Sequence, residues 1–219
     1  MSRKSLIAGL VAIVGLAWIA AQSQSQEKKD KPAGMPEGMP DMAAMMKKWK
    51  DAATPGTMHK KLDRFVGEWD TKMKMWMAGP GAPPVVSEGK SRIKWILDNR
   101  FLREEFEGEI MMPDETGAMS KKKFQGLGLL GYDNFRHMYT GSWADNQGTH
   151  MLTMSGALDP AGTTLTMYGE MDEAMLDIRG RTVKYQTKII DDDKHVFSIY
   201  DLHAAEDYKA LEIEYTRAK

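Results

Sequence analysis

The feature that most constrains the fold is a long series of short runs in which apolar and polar residues alternate, from Val66 to Arg217. Successive side chains of a β-strand point to opposite faces, so this period of two predicts strands with one apolar face each. Turn-forming residues such as Asp98-Asn99 and Asp145-Asn146-Gln147-Gly148 separate the runs. We predict ten strands of an antiparallel meander, over residues 66–77, 85–97, 100–110, 123–132, 137–144, 149–158, 163–171, 178–190, 195–202 and 208–217.

A sheet of this size has to cover its apolar face and both of its edges. Closing the sheet into a barrel does both, so we predict an all-β domain in which the meander forms a barrel of roughly ten strands. The alternation also predicts which side chains point inward. They are Trp69, Thr71, Met73, Met75, Met77, Ile93, Trp95, Leu97, Leu102, Glu104, Phe106, Ile110, Leu152, Met154, Val183, Tyr185, Ile189, Phe197, Ile199, Leu211, Ile213 and Tyr215.

The first 23 residues have the organisation of a signal peptide. Arg3 and Lys4 precede an apolar run from Ser5 to Ala21, and small residues near Ala21 offer a cleavage site. We therefore predict export to the periplasm or the extracellular space, with no stable membrane span after cleavage. Because the run of 17 residues is close to the length that spans a bilayer, a retained anchor is the alternative.

Between the signal peptide and the barrel, residues 24–57 are rich in Met, Pro and Lys. Such a composition predicts a flexible, disordered segment, with a short helix over residues 41–53 where Pro and Gly are absent. The barrel domain is predicted from residue 58 to residue 219. The formal charge of the chain is −1 and cysteine is absent, so neither nucleic-acid binding nor thiol chemistry is expected.

Several short motifs are spread from about Pro55 to Arg217. They include Pro55-Gly56-Thr57-Met58-His59, Val66-Gly67-Glu68-Trp69, Gly126-Leu127-Gly128-Leu129-Leu130-Gly131-Tyr132-Asp133-Asn134 and Tyr215-Thr216-Arg217. Together these motifs resemble the domain-of-unknown-function 1579 family. More widely, Gly67-x-Trp69 in the first strand and Arg217 in the last resemble the calycin group of lipocalins and fatty-acid-binding proteins. That resemblance implies a structural pair, in which Trp69 closes one end of the barrel and Arg217 lies over its ring.

The predicted interior suggests binding of a small apolar or amphipathic ligand. Its proposed lining combines adaptable apolar side chains with one acid: Met73, Met75, Trp95, Glu104, Phe106, Met154, Tyr185 and Phe197. Glu104 would be the polar contact of the ligand. The alternative is a structural or interaction module whose barrel is filled by its own side chains.

Other motifs give weaker hypotheses. Gly126-x-Gly128-x-x-Gly131 matches a dinucleotide fingerprint as a string, but strand and turn follow it where that fingerprint needs a helix, so we interpret the glycines as strand kinks. Some calycin-like barrels bind haem through one histidine. His150 shares the inward parity of Leu152 and Met154, and His195 that of Phe197 and Ile199, so the resemblance implies that either could bind haem here. A structural histidine is the simpler interpretation. A cluster formed by Met35, Met39, Met42, Met45 and Met46 could bind copper through thioethers, or could be the apolar side of a short docking helix.

The sequence carries no Gly-x-Ser-x-Gly elbow and no HExxH zinc motif. We therefore assign no catalytic residue, no metal ligand and no cofactor, and expect a protein that is not an enzyme.

The signal peptide leads to a direct test. If it is cleaved, the mature protein should begin between Gln22 and Gln24. Edman sequencing or mass spectrometry of the exported protein checks this, and Met1 or Ser2 at the N-terminus would instead favour the retained anchor.

Overall fold

The computed structural model describes residues 41–79, 81–205 and 208–219. The predicted signal peptide, its cleavage site, and Met35 and Met39 lie outside the described residues. One compact unit extends from Met46 to Lys219 and contains the barrel.

Ten antiparallel strands form a closed barrel, as the alternation predicted. Each strand pairs with its neighbours in the sequence, and β1 pairs with β10 to close the circle. The strands are β1 (Gly67–Met75), β2 (Val85–Ile96), β3 (Phe101–Pro113), β4 (Met119–Asp133), β5 (Met138–Asp145), β6 (Leu152–Leu158), β7 (Thr164–Glu173), β8 (Ile178–Ile189), β9 (Lys194–Asp201) and β10 (Lys209–Arg217).

Short helices precede the barrel. Helix α1 (Met42–Ala53) lies where a short helix was predicted, and α2 (Thr57–Lys60) and a 3-10 helix (Asp63–Phe65) lead into β1. Leu62 and Phe65 at this junction are buried in the barrel core. Among the described residues, none of the helices has the length and apolar character needed to cross a bilayer.

Trp69 closes the barrel at the end where β1 begins, and it is 1% exposed. Its indole nitrogen donates a hydrogen bond of 2.9 Å to the Phe65 carbonyl. The guanidinium carbon of Arg217 lies 4.2 Å from the centre of the indole ring, and Trp69 and Arg217 face each other in the β1–β10 register. This arrangement combines a buried ring with a cation–π contact, as the calycin resemblance implied.

Gly67 makes room for this closure. Its φ of +146° is unfavourable for residues with a side chain, and a Cβ atom there would lie 2.3 Å from an Arg217 guanidinium nitrogen. That nitrogen instead donates a hydrogen bond of 2.9 Å to the Val66 carbonyl. In the Gly67-x-Trp69 motif, Gly67 therefore avoids a clash with Arg217, while Trp69 supplies the buried apolar ring.

Several strand ends differ from the prediction. Met77 and Leu97 were expected to point inward, and both assignments are wrong: each lies beyond the end of its strand, with 37% and 66% of its surface exposed. Leu97 adopts a φ of +51° in the β2–β3 turn, where the alternation of a strand no longer applies. The β3–β4 hairpin is also longer than predicted, because residues 109–113 pair with 119–123.

The glycines of β4 make room for an aromatic ring. Gly126 lies in mid-strand, and a Cβ atom there would come within 2.1 Å of the Trp143 ring of β5. The same ring lies 3.1 Å from the Cβ position of Gly128. These glycines let an indole ring lie flat against the inner surface of the sheet.

The closure of the barrel can be tested by truncating Trp69. Trp69→Ala removes a buried ring and is expected to lower the free energy of unfolding by about 3 to 5 kcal/mol, measured by urea unfolding. The matched control is Trp49→Ala, since the Trp49 side chain is 64% exposed and its loss should change stability by at most about 0.5 kcal/mol. An unchanged melting temperature of Trp69→Ala would contradict the proposed closure.

Candidate functional site

All eight residues predicted to line the interior lie on the inward face of their strands. Residues that lie directly opposite each other on neighbouring strands point to the same face, and Trp95 pairs with Leu102 and Tyr185 with Ile199. Seven of the eight belong to the core or pack against it; they are Met73, Met75, Trp95, Phe106, Met154, Tyr185 and Phe197. The eighth is Glu104. The structure therefore brings these side chains to one surface, whereas their role in binding stays a prediction.

The interior is not uniformly closed to solvent. Met73, Phe106 and Tyr185 are at most 5% exposed, whereas Met75 and Met154 are only half-buried. The half-buried Trp95 donates a hydrogen bond of 2.8 Å from its indole nitrogen to the Asp63 carboxylate. Trp95 is thus fixed to the 3-10 helix rather than free to adapt to a ligand.

Glu104 provides the inward acid. Its neighbour Glu105 is exposed and pairs with Arg103 at 2.6 Å, so the register of β3 is the predicted one. Oε1 of Glu104 accepts hydrogen bonds from the Ser91 hydroxyl at 2.7 Å and from the Tyr215 hydroxyl at 3.1 Å. These three residues come from β2, β3 and β10, so the acid joins strands on either side of β1.

The protonation of Glu104 reflects two opposing effects. Burial of the carboxyl group raises its pKa above the usual value, and the hydrogen bonds from Ser91 and Tyr215 lower it. Burial is the larger effect, although the residue as a whole is half-buried. The raised pKa of the Tyr215 hydroxyl has the same origin, since burial and the nearby Glu104 both disfavour the phenolate.

Two further hydroxyls on the inward face have no hydrogen-bond partner. They are Oγ1 of Thr71 on β1 and the phenol oxygen of Tyr185 on β8, in residues that are 4% and 1% exposed. Thr71 faces Tyr215 directly in the β1–β10 register. Buried polar atoms are normally paired, so each unpaired hydroxyl marks a position where a polar group of a ligand or a water would be stabilised.

Of the two histidines considered for haem, one lies inside the barrel. His195 is buried between three rings: Tyr215 stacks on it at 4.4 Å, and Trp69 and Phe65 meet it edge-on at 4.5 and 5.2 Å between ring centres. His150 is exposed and precedes β6, so its inward assignment is wrong. His195 therefore links the closed end to Tyr215 and Glu104 through ring contacts.

Two cavities among the described residues involve β1 and the strands that pair with it. The larger, of about 490 Å³, is lined mainly by charged residues of β1, β2 and β10, including Asp70, Lys72 and Glu88. The smaller, of about 190 Å³, is lined by residues of β1, β2 and β3. Its lining includes the inward residues Trp69, Ser91 and Phe106.

Sequence reasoning did not assign Ser91, Thr71 and Tyr215 to the site. Thr71 and Tyr215 were placed on the inward face as parts of the core, and Ser91 shares the parity of Ile93 in the same strand. The sequence does indicate Ser91 as a small polar residue at an inward position, which is unusual for a core. Its hydrogen bond to Glu104 depends on the stagger between strands, which alternation does not specify.

One family model covers the barrel and the short helices that lead into it. The sequence model of the family described as "Protein of unknown function (DUF1579)" matches residues 54–217. The chain belongs to this family. The match begins just before α2 and ends at Arg217, so it includes Glu104, its two hydroxyl partners and the Trp69–Arg217 pair.

Other comparisons are more distant. No curated protein matches the chain. Among solved structures, a redesigned β-barrel is similar to 75% of this chain and to 100% of its own, with 12% sequence identity and a TM-score of 0.35.

The environment of His195 predicts an acid-sensitive fold. Burial, with a smaller contribution from Arg217, lowers the pKa of His195 from 6.5 to about 3. The unfolded chain thus binds a proton below pH 6.5 that the folded chain does not bind until about pH 3. Stability from this group is fully present above pH 6.5 and is lost as the pH falls towards 3, by at most about 1.4 kcal/mol per pH unit.

Replacing His195 with Phe should remove this contribution while keeping an aromatic ring. Urea unfolding measured across the acid range should show a shallower loss of stability in His195→Phe than in the unchanged protein. His137→Gln is the control, because His137 lies in an exposed turn. Identical pH dependence in the unchanged protein and His195→Phe would contradict the assignment.

Proposed function

We propose that the barrel binds a small apolar or amphipathic molecule in its interior, and that Glu104 contacts a cationic or hydroxyl group of that molecule. The observation that carries the proposal is the carboxyl group itself. Its Oε1 is held by Ser91 and Tyr215, which fixes the orientation of the second oxygen beside the apolar side chains of the lining. Few, well-placed polar groups in an apolar lining are the usual composition of small-molecule sites.

The lining also supports a ligand with an apolar portion. Half-buried Met75 and Met154 can adjust their side-chain conformations, because thioether side chains are unbranched and flexible. The unpaired hydroxyls of Thr71 and Tyr185 offer hydrogen bonds at other points of the interior. As parts of the same proposal, we place the protein outside the cytoplasm after signal cleavage and assign it a binding role rather than a catalytic one.

A filled barrel is the second candidate, and specific observations favour it. Trp69, Tyr139, Tyr185, Leu165 and Val183 are at most 1% exposed, so the layers that contain them are densely packed. In a filled barrel Glu104 would serve only to join β2, β3 and β10.

The preference of the site for one polar group can be tested with molecules that have the same alkyl chain and differ in their polar end. Decylamine, decanol and decanoate are titrated into the full-length protein and followed by tryptophan fluorescence, with calorimetry as a second measurement. The amine and the alcohol should bind more tightly than decanoate, because a second carboxylate beside Glu104 is repelled. Native mass spectrometry of protein purified from its own host would identify a retained ligand.

The decisive variant is Glu104→Gln, which keeps the size of the side chain. It should weaken binding of decylamine by about 1.5 to 3 kcal/mol, the usual value of a hydrogen bond to a charged group. Glu105→Gln is the matched control, since Glu105 is the adjacent acid on the outer face. Absence of binding by all three molecules, together with equal or greater stability of Glu104→Gln, would instead support the filled barrel.

A further inference from the structure

Helix α1 has one apolar face with lysines on both sides of it. At 100° per residue, Met42, Met45, Met46 and Trp49 fall on one side of the helix. Lys48 and Lys50 border that side. On the opposite, polar side, Lys47 and Asp51 form an ion pair of 2.7 Å, so these two charges are paired within the helix.

Much of the apolar face of α1 is exposed. None of the 12 residues of the helix is buried. Met46 and Trp49, two of the large apolar side chains on this face, are 43% and 64% exposed. A helix stabilised by packing would bury this face, so its exposure points to a partner other than the described part of the chain.

The C-terminal end of α1 is held by the barrel. The Asn134 side-chain nitrogen, in the β4–β5 turn, donates to the carbonyls of Asp51, Ala52 and Thr54 at 3.4, 3.1 and 2.7 Å. These bonds satisfy carbonyls that a helix end leaves free. The same turn exposes Phe135, at 83%, so a second apolar side chain extends from the turn that holds the helix.

Charge separates this region from the barrel. Residues 41–64 carry six Lys and Arg against three Asp, a net charge of +3. Residues 65–219 carry 19 Lys and Arg against 25 Asp and Glu, a net charge of −6. Three of the six cations, Lys47, Lys48 and Lys50, belong to α1 itself, so the helix lies in a segment whose net charge is opposite in sign to that of the barrel.

We infer that α1 binds an anionic lipid surface, lying parallel to it with Met46 and Trp49 in the boundary between headgroups and acyl chains. Lysines beside the apolar face can place their stems along the lipid and their ammonium groups among the phosphates. The acidic barrel would be repelled by the same surface, so the basic helix determines which part of the molecule makes contact. This inference is independent of the interior site.

The absence of cysteine allows a direct experiment on the full-length chain. Met46→Cys places a single thiol on the apolar face and Ala44→Cys places one on the opposite face, each labelled with an environment-sensitive fluorophore. Addition of phosphatidylcholine vesicles that contain phosphatidylglycerol should shift the emission at position 46 to the blue and leave position 44 unchanged. The shift should be reduced on pure phosphatidylcholine vesicles and in about 1 M salt.

Charge reversal distinguishes vesicle binding through α1 from a general electrostatic attraction between the protein and the vesicles. Lys48→Glu with Lys50→Glu, in the Met46→Cys background, should weaken vesicle binding about tenfold or more. The control is Lys122→Glu with Lys123→Glu on β4, which makes the same change of charge on exposed residues of the barrel and should have a much smaller effect.

Four results would overturn the inference. A blue shift that grows with protein concentration in the absence of lipid would show that a second copy covers the face. Equal shifts at positions 44 and 46 would show that the helix does not lie on the surface in the stated orientation. Equal weakening by both charge-reversed pairs, or no shift on anionic vesicles, would remove α1 as the lipid contact.

Discussion

The contact between Arg217 and Trp69 is the interaction on which the rest of the barrel depends. Arg217 reaches from the end of β10 across the ring of Trp69 on β1, and its nitrogens donate to carbonyls of Val66, Arg64 and Asp192. One side chain thus joins the first strand, the last strand, the 3-10 helix and the β8–β9 turn. A guanidinium group suits this position because its donors are fixed in a plane while its face stays available to the indole ring.

The alternation of residues predicted the barrel well, because one face of every strand is buried and a shift of one residue would expose the entire apolar set. Glu104 inward and Glu105 outward follow from that constraint alone. Met77 and Leu97 were misassigned since alternation ends with the strand, and strand ends depend on local turn conformation. The contacts of Glu104 with Ser91 and Tyr215 depend on the closure between β1 and β10, which brings together residues 111 positions apart.

Four polar residues inside the barrel come from adjacent strands. Tyr215, Thr71, Ser91 and Glu104 lie in order on β10, β1, β2 and β3. Other inward polar groups lie on β8 and β9, where the Tyr185 hydroxyl is unpaired and the buried Asp201 forms an ion pair with Arg181 at 2.9 Å. A ligand would therefore meet polar groups at more than one point of the interior. The glycines of β4 admit the Trp143 ring, which adds to the aromatic surface next to Glu104.

The pairing of β1 with β10 also affects how the chain reaches its fold. Strands β1 to β9 can pair with their sequence neighbours before β10 joins the sheet, but the seam between Trp69 and Arg217 joins residues at the two ends of the meander. Until β10 is in place, β1 and β9 each present an unpaired edge, and such edges invite pairing with other chains. Closure must therefore be the last step of barrel formation, and the incomplete sheet is the stage at which a molecular chaperone would be most useful.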